Sequence, residues 1–77
     1  GLATFMMKAP GFCSIYVYKD NELVWIRNLK TDVTKETLIL QPGTYYVSYR
    51  AKNANKALYT ISKKFKIHSG ASEQVYL

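Results

Sequence analysis

The run Leu38-Ile39-Leu40-Gln41-Pro42-Gly43-Thr44-Tyr45-Tyr46-Val47-Ser48-Tyr49-Arg50 restricts the fold of this chain more than any other segment. Proline presets φ near the value that a tight turn needs at its second position, and glycine accepts the positive φ of a type II turn next. The pair predicts a hairpin with Gly43 at positive φ. Beyond it, Tyr45, Val47, Tyr49 and Ala51 fall on one face, and Thr44, Tyr46, Ser48 and Arg50 on the other. A period of two built from aromatic and β-branched residues marks a half-buried strand.

The same reading gives seven strands, at 2–8, 13–19, 23–29, 36–40, 44–51, 57–67 and 74–77, and no helix. A single helical turn over 31–38 is the other reading of that segment; Thr34, Thr37 and the early Pro42 favour a strand. Pro10-Gly11 predicts another tight turn, Asp20-Asn21-Glu22 a hairpin loop, and Ser69-Gly70-Ala71-Ser72 a final turn. The segment 57–67 is long enough to bend or bulge, since Lys63 interrupts the phase of Tyr59, Ile61, Phe65 and Ile67. Short strands at this spacing predict an all-β fold, a seven-stranded antiparallel β-sandwich forming one domain over 1–77. Its expected core is Phe5, Ile15, Val17, Trp25, Leu38, Leu40, Val47, Tyr49, Ile61, Phe65, Ile67 and Val75. Trp25 is the least determined of these, because both phases of 23–29 are apolar.

Several of these residues carry a family resemblance. Pro10-Gly11 followed by Ile15-Tyr16-Val17, then Leu40-x-Pro42-Gly43-x-Tyr45-x-Val47, then Ile67, Gly70, Val75 and Leu77 resemble the PEGA and carboxypeptidase-regulatory-like group. The resemblance runs over nearly the whole chain and consists of turn and core signals. PEGA modules usually carry a glycine after the second strand and a Thr-Pro pair before the fourth. Asp20-Asn21 and Thr34-Lys35 stand there, which favours a sister family of the same fold. The resemblance implies a small transthyretin-like (prealbumin-like, Ig-like) sandwich, a non-catalytic accessory module of bacterial cell-surface, periplasmic or secreted proteins. The chain also resembles, more loosely, the β-modules beside von Willebrand A-type domains. Opening on Gly1 and closing on Val75-Tyr76-Leu77, it reads as a domain excised from a longer protein.

The residues that could carry chemistry are few. Cys13 is the only cysteine, which excludes an intrachain disulfide and a zinc cluster, and its apolar phase with Ile15 and Val17 marks a core residue. His68 is the only histidine and sits beside Ser69-Gly70 in a turn. Asp20-Asn21-Glu22 offers too few oxygens for calcium, which takes six to eight. Phosphate-binding glycine loops and hydrolase motifs are absent. The sequence therefore predicts no enzyme, no metal and no cofactor. No apolar run is long enough to span a membrane.

Two surface features point to binding instead. If Cys13, Ile15 and Val17 face inward, Tyr16 and Tyr18 face outward, as does Tyr46 beside Val47. Charge adds a second feature. Residues 1–36 hold five basic and four acidic side chains, while 37–77 hold six basic and only Glu73, so +5 of the net +6 lies in the second part. Lysine on exposed strands also discourages edge pairing, which is the plainer reading of that excess. The candidate interaction surface is Tyr16, Tyr18, Tyr46, Arg50, Lys64 and Lys66, with Arg50 and Lys64 steering an acidic partner. That partner is expected to be another domain of the parent chain or another protein. A polysaccharide stacked on the tyrosines is the alternative. Single-stranded nucleic acid is a third, disfavoured because the RNA-recognition signature is absent.

Overall fold

The structure, a computed structural model, describes residues 1–52 and 60–77. Seven strands form among them: β1 (Leu2–Met6), β2 (Gly11–Lys19), β3 (Glu22–Asn28), β4 (Lys35–Ile39), β5 (Gly43–Ala51), β6 (Ile61–Ile67) and β7 (Ser72–Tyr76). They make a three-stranded sheet ordered β4-β1-β7 and a four-stranded sheet ordered β3-β2-β5-β6, which pack as a sandwich. Part of the strand expected over 57–67, and the Lys56 loop before it, lie outside the described residues.

Both Pro-Gly pairs play a different part from the one expected. β4 pairs with β1, and β5 with β2 and β6, so Pro42-Gly43 is not a hairpin turn. It carries the chain from the small sheet to the large one, and Ala9-Pro10 does the same between β1 and β2. Gly70 is the only described glycine with positive φ, at 72°, so Gly43 does not supply the conformation a type II turn demands. Gly11 is needed for space instead: a Cβ there would collide with the Arg50 carbonyl on β5. Each crossover is anchored by a buried tyrosine of β5. The Tyr45 hydroxyl donates to the Gln41 carbonyl at 2.5 Å, and the Tyr49 hydroxyl to the Ala9 carbonyl at 2.6 Å. Both acceptors precede a proline, whose missing N–H leaves this backbone with fewer internal partners.

The true hairpin turn is Asp20-Asn21. Two residues join β2 to β3, with φ of 53° and 65°, the left-handed pair of a type I′ turn, whose twist matches that of the strands it joins. The ladder is not wholly antiparallel either. β7 runs parallel to β1, from Leu2↔Ser72 to Met6↔Tyr76. Side-chain alternation is the same in both directions, so the pattern could not set the sense of this pair. The irregularity expected in the β6 region appears in β3, where Ile26 is inserted between the pairs Ile15↔Arg27 and Tyr16↔Trp25. β5 and β6 pair without interruption from Gly43↔Ile67 to Tyr49↔Ile61.

Between the sheets lie Ala3, Phe5, Met7, Cys13, Ile15, Leu29, Leu38, Leu40, Tyr45, Val47, Tyr49, Phe65, Ile67, Val75 and Leu77. Phe5 meets Phe65 edge to face with centroids 5.5 Å apart, and Tyr45 stacks on Phe65 at the same distance. Val17 and Ile61, expected in this core, pack against its margin. Trp25 is a correction: it is 55% exposed, on the opposite face of the sheet.

Candidate functional site

The face of the four-stranded sheet turned away from the core has a row of side chains set by register. Trp25 pairs with Tyr16, Tyr16 with Tyr46, and Tyr46 with Lys64, one residue from each strand in turn. Leu23 opposite Tyr18 adds a second apolar pair beside the row. Tyr16 and Tyr46 are half-buried by their neighbours, while Tyr18, Leu23 and Trp25 are exposed. The Tyr18 and Tyr46 rings lie 5.8 Å apart at 40°. Tyr16, Tyr18, Leu23, Tyr46, Ser48 and Ser62 line a shallow depression of about 340 Å³ on this face.

Local backbone geometry fixes the tryptophan. In a regular strand, residues three apart face opposite sides. The extra residue Ile26 resets the phase, so Trp25 and Asn28 both face outward, opposite Tyr16 and Ser14. The indole N–H of Trp25 donates to Asn28 Oδ1 at 2.9 Å, and Ser14 Oγ donates to the same oxygen at 2.8 Å. The ring of this exposed residue is thus held with its polar edge satisfied, which lowers the entropy lost when a partner orders it.

Electrostatically the face is one-sided. Its outward positions on β2, β3, β5 and β6 include Arg50, Lys64 and Lys66 and no acid. The Lys64 ammonium lies 5.2 Å from the Tyr18 ring centroid, and the Arg50 guanidinium 5.4 Å from that of Phe12. Each cation is drawn to an aromatic quadrupole and keeps its charge on the surface. Of the residues singled out in the sequence, Tyr16, Tyr18, Tyr46 and Lys64 come together. Lys66 shares the face two residues further along β6, opposite Thr44. Arg50 stands apart, four residues from Tyr46 along β5 and opposite Phe12. Sequence reasoning missed Trp25, Leu23 and Phe12 as members of this face.

Cys13 is buried, and burial first, then the Glu36 carboxylate, push its thiol up to about 12, far from a nucleophilic thiolate. His68 is exposed, and its carbonyl accepts the Ala71 N–H in the β6–β7 turn. Among the described residues, no three His, Cys, Asp or Glu side chains gather as a metal would require. No helix of the described residues is long and apolar enough to cross a membrane. Compared with protein-family models and with curated proteins, the chain finds no match.

Proposed function

We propose that this domain is a non-catalytic interaction module, an accessory part of a larger bacterial envelope or secreted protein, of the transthyretin-like sandwich type that its turn and core residues resemble. It docks an acidic partner, another domain of its parent chain or another protein, on the outer face of the four-stranded sheet. One observation carries the reading: Trp25, Tyr16, Tyr46 and Lys64 form a single row across four strands, on a face with cations and no acid. Aromatic residues contribute large contact area at low entropic cost, and arginine and lysine accelerate encounter with an acidic surface.

Carbohydrate binding is the second reading, favoured by the exposed Trp25 ring held by Asn28, since a planar ring with a free face stacks on sugars. Amide NMR titrations of the domain with a poly-glutamate peptide, a mixed polysaccharide pool and a short DNA oligomer, at low and high salt, separate these readings. The main proposal expects poly-glutamate to shift Tyr16, Tyr18, Trp25, Tyr46 and Lys64 and salt to weaken the effect. Salt-insensitive shifts with polysaccharide alone favour the glycan reading, and a steep salt response confined to DNA favours nucleic acid. Shifts confined to the other sheet overturn all three.

A further inference from the structure

The four sheet edges of this sandwich differ in how they are protected. A free edge strand invites pairing with another chain unless it is short, charged or carries an inward lysine. β4 and β7 are five residues each and bear Lys35 and Glu36, and Glu73, respectively. β6 holds Lys63 in the inward phase of Ile61, Phe65 and Ile67, with Lys64 and Lys66 on its other side. β3 carries its charges, Glu22 and Arg27, only toward its ends, and its bulge at Ile26 lies toward its C-terminal end. It is seven residues long, exposed throughout, and presents Leu23, Val24, Trp25 and Ile26 without interruption. Among the described residues it pairs only with β2. Beside it lies a recess of about 450 Å³ lined by the apolar Val17, Ile26, Ile39, Leu40 and Tyr45 together with Lys19 and Gln41. Ile39 at its margin is 84% exposed.

We infer that β3 is a dimerisation edge that takes the β3 strand of a second copy of this chain, antiparallel, to form a continuous eight-stranded sheet. The type I′ turn makes Lys19 and Glu22 a hydrogen-bonded pair, so alternation along the ladder points the N–H and C=O of Leu23 and Trp25 at the free side. A two-fold axis at Val24 then places Leu23 opposite Trp25 of the copy, where each supplies the bonds the other needs. Inward and outward phases stay matched: Glu22, Val24 and Ile26 face one side, Leu23 and Trp25 the other. Glu22 comes opposite the copy's Ile26 and beside its Arg27, giving two symmetric opposite-charge contacts. The charge distribution selects a second copy over an acidic chain here. The β2–β3 hairpin is neutral, with Lys19 and Arg27 against Asp20 and Glu22, while the basic strand β6 lies at the far edge of the sheet. The binding face stays open and doubles in length, so this inference does not depend on what that face binds.

Sedimentation equilibrium over a wide concentration range tests it. The intact domain is expected to dimerise reversibly. Val24→Lys and Val24→Glu each set like charges face to face at the axis and are expected to raise the dimer Kd about tenfold or more. Mixing the two variants is expected to restore association as a heterodimer, while Tyr46→Ala leaves the dimer intact. Circular dichroism checks that each variant folds. Should a variant fail to fold, a mixed-label sample of the unaltered domain reads the register directly, through a contact between the Leu23 amide of one copy and the Trp25 amide of the other. A monomer at every concentration, or a dimer without that contact and indifferent to Val24, overturns the inference.

Discussion

The Trp25 indole N–H donates to Asn28 Oδ1 across 2.9 Å, three residues along a strand that would ordinarily place the two on opposite faces. The inserted residue Ile26 is what brings them together. Asn28 is therefore a positioning residue for the proposed binding face. Asn28→Ala is expected to leave the thermal midpoint nearly unchanged, because this bond is exposed. It should also broaden the ring's orientations and shift Trp25 emission. Removing the inserted residue, Ile26, is expected to turn Trp25 or Asn28 inward and abolish that emission signature even where the domain folds.

The tyrosine anchors of β5 give a stability prediction. Tyr45→Phe and Tyr49→Phe each remove one hydroxyl donor to a carbonyl at a sheet crossover. Each is expected to cost about 1 kcal/mol. The two sites hold opposite ends of β5, so the double variant should lose nearly the sum. Chemical denaturation measures both. A change below a few tenths of a kcal/mol at either site would show that the crossovers are held by packing alone.

The Asp20-Asn21 turn makes a similar demand on the backbone. Both residues occupy the left-handed region, which Asn and Asp tolerate and β-branched residues do not. Asn21→Val is expected to cost about 1–2 kcal/mol, and Asn21→Gly to be tolerated. Equal stability of the valine and glycine variants would contradict this turn geometry.

Cys13 predicts an alkaline limit. Its folded-state pKa is raised from 9.0 to about 12 by burial and, secondarily, by Glu36. The protonated thiol is the form the fold favours, so its contribution is complete below 9.0 and is lost as pH rises toward about 12. Burial raises Tyr45 as well, with the same sign. Cys13→Ala is expected to lower stability at neutral pH and to flatten its fall across that window. A thiol reagent at neutral pH should label the protein only after denaturant unfolds it.

How much of this was legible in the sequence depended on the kind of order involved. The two-fold alternation of β2 and β5 placed Tyr16, Tyr18, Tyr46, Val47 and Tyr49 on their proper faces, because period two is local. Sheet membership was not local. Pro42-Gly43 reads as a hairpin when taken alone, and only the pairing of β4 with β1 shows it to be a crossover. Trp25 was lost for a smaller reason. Both phases of β3 are apolar because one lines the open recess and the other joins the outer face of the four-stranded sheet. Treating Asp20-Asn21 as a two-residue turn, rather than a three-residue loop, would have set Leu23 against Tyr18 and Trp25 against Tyr16. That count was available in the residues themselves.

Trp25 is the only tryptophan in the chain and stands at the end of the row, so its emission reports the proposed binding face without a label. The most direct test is to titrate the domain with poly-glutamate at low and high salt and follow that emission, in the unaltered chain and in Lys64→Glu. The account predicts a saturable change that salt weakens and that Lys64→Glu removes, with the thermal midpoint preserved. An emission that stays flat while the peptide binds, or a response that Lys64→Glu leaves intact, would contradict it.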